Sequence, residues 1–468
     1  MSQHKPFFEQ LLKKHNMHLD KRHMHLLDDF LNDSLTVEAF NIIQNTQSNM
    51  LENWKEKTRI EDIKAKQIVL PNGTVGKSYE YILDLDKLGI NDIGDYELEI
   101  DEKIGITFNK TESKILGTLK EPGEHILILN FKLKNSVAEK PFSQKEIKLI
   151  VNHNPKSLWK DLPSDNKDSY WKDDNAASHS NFGSKKLVIG SKRGRSHAHE
   201  GKFRDDDFGY AYDDTTGWGI ISVADGAGSA KYSRRGSQLA CKSVIDFFMS
   251  VDGNKFKEID TATIEFLNEQ SEDNQKKLSS HFIEQLGKAA FTAQGAIREE
   301  AATRNAEIKD YSTTLIFSLI KKYANCFVIV SFWVGDGGIG IYNDDKKEVH
   351  VLGIPDSGEF AGQTRFLTMS DIFTDGAYAN RIRFKIIDDF TALILMTDGI
   401  TDPKFQTDAN LNRIEKWDEL WKDLQGQNAE GCKVTFDQPL EYVESELMNW
   451  LDFWSAGNHD DRTLAILF

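Results

Sequence analysis

Three apolar runs in this chain each stop at the same dipeptide, Asp-Gly. They are Gly219-Ile-Ile-Ser-Val-Ala-Asp225-Gly226, Phe327-Val-Ile-Val-Ser-Phe-Trp-Val-Gly-Asp336-Gly337 and Thr391-Ala-Leu-Ile-Leu-Met-Thr-Asp398-Gly399. Their β-branched and large apolar residues read as buried strands. A carboxylate at the end of a buried strand is held rigidly at the rim of a sheet. Several such rims together make a cup of hard oxygen ligands, the chemistry that Mg²⁺ and Mn²⁺ prefer. The glycine after each Asp lets the backbone come close to an ion, and its carbonyl can itself be a ligand. Taken singly, an Asp-Gly reads more readily as a hairpin turn. Asp336 fits that reading, because Ile339-Gly-Ile-Tyr-Asn343 follows it like a return strand. Asp225 does not. After it come Ser233-Arg-Arg-Gly-Ser-Gln-Leu-Ala-Cys241, then Val244, Phe247, Phe248 and Val251 at helical spacing, and strand, turn and helix do not make a hairpin.

Two acidic clusters flank these runs. Arg204-Asp205-Asp206-Asp207-Phe208 precedes the first strand pair, and Asn458-His459-Asp460-Asp461-Arg462-Thr463 precedes the last strand, Leu464–Phe468. Acidic runs are usually solvated faces. Here apolar strand residues follow at once, so at least one carboxylate of each cluster belongs at a strand end. Three adjacent Asp side chains cannot all face one cup, since strand side chains alternate.

With 468 residues, the chain is long enough for roughly two to four domains. The 39% apolar and 28% charged residues exclude collagen, coiled-coil rods and wholesale disorder. A net charge of −16 argues against nucleic acid as a partner, which needs clustered cations. It fits a protein that gathers divalent cations, although acidic surfaces more often serve solubility. Cys241, Cys326 and Cys432 are far apart, so neither a zinc knuckle nor a disulfide framework is implied. Met1-Ser-Gln-His-Lys-Pro6 lacks a signal peptide's apolar stretch. The longest near-apolar run, Cys326–Val334, is about half of a membrane span. The expectation is a cytoplasmic protein without membrane contact.

Residues 1–62 read as helical, with Phe7, Leu11 and Leu12, then Leu26, Leu27 and Phe30, at helical spacing. Residues 65–153 change character. Strand-like pieces (Ser78–Leu85, Lys114–Leu119, His125–Leu133, Glu146–Val151) alternate with turn signals such as Pro71-Asn-Gly73. They predict a small β-sandwich that resembles a bacterial immunoglobulin-like module, without that fold's cysteine–tryptophan signature. The polar stretch 154–183 reads as a linker anchored by Trp159 and Trp171. Strands and helices then alternate through 184–468, and the overall class is α+β.

The order of motifs across this last region resembles the protein phosphatase 2C family, in its bacterial serine/threonine subgroup. Gly194-Arg-Ser-His197-Ala-His199-Glu-Gly201 through Asp206 resembles the opening motif. Val223-Ala-Asp225-Gly226-Ala-Gly228 resembles the second. Ser312-Thr313-Thr314 with Val334-Gly335-Asp336, Met396-Thr-Asp398-Gly399-Ile-Thr-Asp402 and Asp460-Asp461-Arg462-Thr463 resemble the rest. The resemblance implies a β-sandwich of two antiparallel sheets flanked by helices, with two divalent cations, Mg²⁺ or Mn²⁺, at one end. It implies that Asp225 bridges both ions, that Asp206 and the Gly226 carbonyl serve one, that Asp398 and Asp460 serve the other, and that Asp336 serves a looser third. Where many members have a histidine as candidate general acid, this chain has Ala227. His197 and His199 are the alternatives, and Arg195 and Arg204 are the candidates for holding substrate phosphate.

The implied activity is hydrolysis of phosphoserine and phosphothreonine in protein substrates by a metal-activated water. No Cys-x5-Arg cradle or phosphate-binding Gly-Lys loop offers another route. Two readings from other classes stand beside it: a catalytically silent module that binds phosphoprotein, and a scaffold whose N-terminal β domain recruits a protein partner.

Overall fold

The computed structural model describes residues 4–134, 136, 140–250, 253–356 and 364–468, and contacts divide it after Leu158. The first unit opens with α1 (Lys5–Lys14), α2 (Met24–Asn32) and α3 (Ser34–Ala65). Asp33 caps α3 by accepting from the Thr36 amide at 3.2 Å. Leu27, Leu31 and Phe40 form a small cluster with Phe7, Phe8 and Leu19. Seven strands follow: β1 (Gly73–Thr74), β2 (Ser78–Ile82), β3 (Ile93–Glu99), β4 (Ile106–Asn109), β5 (Lys114–Thr118), β6 (Gly123–Leu133) and β7 (Ser143–Asn152). They form two sheets, ordered β1-β7-β6-β3 and β2-β5-β4. Along β7, buried Lys145, Ile147, Leu149 and Val151 alternate with exposed residues, the period of a sheet with one covered face. Leu129, Ile147 and Leu149 meet Tyr79, Ile106 and Ile115 between the sheets. This is the expected sandwich, with β1, β3 and β4 added to the segments legible in the sequence.

The second unit contains β8 (Asn175–Phe182), β9 (Lys185–Lys192), β10 (Asp207–Asp213), β11 (Trp218–Ala224), β12 (Leu315–Lys322), β13 (Phe327–Val334), β14 (Gly338–Asn343), β15 (Glu348–Gly353), β16 (Ile382–Ile387), β17 (Ala392–Met396) and β18 (Arg462–Leu467). Its helices are α4 (Arg195–Glu200), α5 (Ser233–Met249), α6 (Gly253–Asn268), α7 (Glu272–Thr303), α8 (Asp398–Phe405), α9 (Ile414–Leu424) and α10 (Leu440–Trp450). One antiparallel sheet runs β10-β11-β12-β13-β16, the other β15-β14-β17-β18-β9-β8.

The apolar runs are continuous because their strands are covered on both faces. In β17, Leu393 and Leu395 enter the core between the sheets. Ala392, Ile394 and Met396 pack outward against Trp417 and Trp421 of α9 and Leu447 of α10. In β12, Ile316 and Ile320 face inward, while Leu315, Phe317 and Leu319 meet residues of α5 and α7 such as Val244 and Phe282. The layers are therefore helix, sheet, sheet, helix, and both sheets end together where the Asp-Gly dipeptides lie.

Two expectations need correction. The stretch 154–183, expected as a linker, ends in β8, which pairs along its length with β9. Polar residues disguised it as loop because β8 is an edge strand. Asp336-Gly337 is not a hairpin turn: β13 pairs with β12 and β16, whereas β14 pairs with β15 and β17 in the opposite sheet. The dipeptide carries the chain from one sheet to the other. Among the described residues no helix is long and apolar enough to cross a membrane.

The β8–β9 pairing makes the position of a truncation decisive. A chain of residues 159–468 should melt cooperatively, while one beginning at 184 lacks β8 and exposes the edge of β9. Circular dichroism should find the shorter chain lower-melting or aggregated; equal midpoints would show that β8 is dispensable.

Candidate metal centre

Asp225 is fixed by its backbone. The Asp225 amide donates to Thr314 Oγ1 at 2.8 Å. Its carbonyl accepts from the Thr314 amide at 2.7 Å and from Thr313 Oγ1 at 2.9 Å. Gly226 bridges to Thr313, and a Cβ there would lie 2.8 Å from the Asp205 carbonyl oxygen, so only glycine fits. Asp398 is the first residue of α8, where free helical amides favour its negative charge. Asp206 precedes β10 and is fully buried. Its Oδ2 accepts from Thr397 Oγ1 at 2.9 Å and Thr463 Oγ1 at 2.7 Å. Asp207 points elsewhere, to Lys172 Nζ at 2.9 Å, as strand alternation requires.

These placements crowd like charges. Asp225, Asp336 and Asp398 offer oxygens within 4.8 Å of one another. Asp206 lies beside the Asp225 carboxyl. Burial, then the neighbouring Asp461 charge, pushes the Asp206 carboxyl up to about 7. Burial, then Asp398 and Asp206, holds Asp225 well above the usual carboxylate range. Burial, then Asp336 and Asp460, does the same to Asp398, and burial raises Asp336. One oxygen each of Asp206, Asp336 and Asp398 is buried without a hydrogen-bond donor. Orphaned oxygens on crowded carboxylates, with no sulfur in the set, fit hard divalent cations.

The closing motif ties the rim together. Asp461 is buried, and its carboxylate accepts from the Gly194 amide at 2.6 Å, the Asp205 amide and His197 Nδ1 at 3.0 Å. Burial opposes its charge, but these bonds, that from His197 foremost, hold its pKa below the usual value. Burial would likewise lower His197. The hydrogen bond and charge of Asp461, with Asp205 and Asp460 nearby, raise it instead to about 9. Asp460 is exposed and groups with His197 and Asp461 rather than with the Asp225 set.

The remaining candidates are engaged elsewhere. Arg204 is buried and donates to Ser191 Oγ at 2.7 Å and the Asp206 carbonyl at 2.6 Å. That corrects its assignment to substrate phosphate: it braces the backbone behind the cup. Arg195 donates to Asp452 Oδ1 at 3.1 Å and the Asp452 carbonyl at 2.6 Å. His199 Nδ1 accepts from the Lys160 amide at 3.1 Å, and its ring meets Trp159; it anchors the chain at the start of this unit. Lys172, inside the expected linker, carried no sequence signal, yet its Nζ reaches the Asp206 carbonyl at 2.6 Å. Thr397 and Thr463 lay inside quoted motifs, and their hydroxyls are what hold Asp206.

Carboxylates whose pKa is raised by folding contribute stability at low pH that is lost as pH rises. For Asp206 the loss runs from the unfolded value of 3.8 to about 7, and for Asp205 to about 6. Treated with EDTA, the protein should therefore show a thermal midpoint that falls between about pH 4 and pH 7 and levels off above, by roughly 2–4 °C for each kcal/mol lost. Asp206→Asn should flatten that slope and Asp207→Asn should leave it. A flat wild-type profile would mean that the carboxylates are not crowded as described.

Residues 193–451, more than half of the chain, match the family profile described as Protein phosphatase 2C. No curated protein matches the chain. Among solved structures, the catalytic domain of the serine threonine protein phosphatase PstP in complex with 2 manganese ions is 14% identical, covering 60% of this chain and 96% of that one, with a TM-score of 0.35. The S. agalactiae serine/threonine phosphatase is 14% identical over 60% and 98%, with a TM-score of 0.37. Serine/threonine phosphatase Stp1 from Staphylococcus aureus is 12% identical over 64% and 98%, with a TM-score of 0.34. At such scores the likeness carries no argument. By the profile match, the chain belongs to the protein phosphatase 2C family.

Proposed function

We propose that this chain hydrolyses phosphoserine and phosphothreonine in protein substrates, using two divalent cations, Mg²⁺ or Mn²⁺. The observation that carries this reading is the convergence of Asp206, Asp225, Asp336 and Asp398, with three buried oxygens unpartnered. Asp225 and Asp206, the Gly226 carbonyl, Asp398 and Asp460 would hold the ions, with Asp336 serving a third. When bound, such ions lower the pKa of a water and neutralise charge on the phosphoryl group. The protein's own part is positioning. Thr313 and Thr314 fix Asp225 through its backbone, and Thr397 and Thr463 fix Asp206 through its side chain. His197 is the candidate general acid, because Asp461 keeps it protonated near neutral pH, ready to give a proton to the departing serine or threonine oxygen. His199 has no such role in this reading, since its Nδ1 is occupied by the Lys160 amide.

Steady-state hydrolysis of a phosphothreonine peptide and of p-nitrophenyl phosphate tests the proposal. EDTA should abolish both activities and Mn²⁺ or Mg²⁺ should restore them. Asp225→Asn keeps the shape of the side chain and should remain folded while turnover falls by several orders of magnitude. Full activity in EDTA, or wild-type turnover by Asp225→Asn, would overturn the reading.

A further inference from the structure

Residues 159–174 lie ahead of the opening motif, after the last residue of the first unit and before β8. A passive connection would make few contacts. This one is bonded to the segments that carry the metal centre. Asp161 pairs with Arg193 Nη2 at 2.8 Å, and Asp168 with Arg234 Nη2 of α5 at 2.7 Å. The Asp173 carbonyl accepts from Arg204 Nε at 3.3 Å.

Lys172 turns inward. Its side chain is 9% exposed, and its ammonium has three protons to donate. It meets three acceptors: the Asp206 carbonyl at 2.6 Å, Asp207 Oδ2 at 2.9 Å and the Arg234 carbonyl at 3.4 Å. A buried cation needs an acid to compensate it, and Asp207 does that. The two carbonyls are more than compensation requires, and they fix where the ammonium sits. β10 begins at Asp207, so Asp206 stands just outside the strand. Its carbonyl accepts from Arg204 Nη1 at 2.6 Å as well, which fills both lone pairs. Held by two cations, this peptide sets the direction in which the Asp206 side chain leaves the backbone. Asp206 Oδ2 is taken by Thr397 and Thr463, and Oδ1 is the buried oxygen without a donor.

We infer that Lys172 is a positioning residue of the metal centre: it holds the peptide between Asp206 and Asp207 so that Asp206 Oδ1 is presented to a divalent cation. This role rests on the carboxylates being a seat for such cations. It differs from the role of a structural ion pair, which would need only Asp207.

Calorimetric titration of the EDTA-treated, dialysed full chain with Mn²⁺, alongside its thermal midpoint in EDTA, tests this. Lys172→Met with Asp207→Asn removes both charges of the pair, so it leaves the net charge unaltered and strands no buried ion. The double variant should melt within a few degrees of the wild type. It should nevertheless bind Mn²⁺ at least about tenfold more weakly, the loss typical when a group that orients a metal ligand is removed. If it binds as tightly as the wild type, Lys172 serves only to compensate Asp207, and the proposal fails while the metal seat stands. A double variant that no longer folds in EDTA would also overturn it, because Lys172 would then support the fold rather than the ligand. A wild type without saturable binding would overturn the metal seat itself, and this role with it.

Discussion

Four carboxylates meet at the common end of two sheets, and the structure around them follows from keeping them there. Asp206, Asp225, Asp336 and Asp398 repel one another in a place where water screens them poorly. Raised pKa values are one expression of that repulsion. The rigidity of the supports is another. Strands covered on both faces deliver Asp225, Asp336 and Asp398, hydroxyls and amides fix Asp225 and Asp206, and glycines let neighbouring segments close in. A Cβ on Gly399 would meet the Asp461 carbonyl oxygen at 1.9 Å, and one on Gly194 would meet the Asp460 carbonyl carbon at 2.3 Å. Those contacts bring the closing loop against the opening motif and against α8.

Asp461 is the junction of that assembly. It gathers two amides and a histidine from the opening motif, although the two segments are far apart in sequence. Its carboxylate is satisfied where its neighbours' are not, which separates a structural acid from the acids left with unpartnered oxygens. The same bonds hold His197 in its charged form at the edge of the cup.

Much of this was legible in the sequence, for a physical reason. A strand buried on both faces leaves an unbroken apolar run, and an acid at its end stands out sharply, so β11, β13 and β17 and their Asp residues could be read directly. The resemblance to the family picked Asp206 from its two neighbours, strand alternation then turned those two away, and the pairing of Asp207 with Lys172 agrees with it. Partners supplied from distant segments were not legible. Nothing local told that Asp336 crosses between sheets, that Arg204 turns inward, or that Lys172 reaches Asp206 from a polar stretch. β8 escaped because an edge strand of mixed residues such as Asn175-Ala-Ala-Ser-His-Ser-Asn-Phe182 lacks the pattern of a buried one. In the first unit the alternation of β7 was clear, while β3 and β4 are short or interrupted by charge.

The account rests on the carboxylates being a seat for divalent cations rather than a cluster that protons alone neutralise. Calorimetric titration of the EDTA-treated, dialysed protein with Mn²⁺ at neutral pH tests that most directly. The account predicts saturable binding of at least two ions per chain, with protons released as the ions displace them from carboxylates of raised pKa. Absence of saturable binding would contradict it.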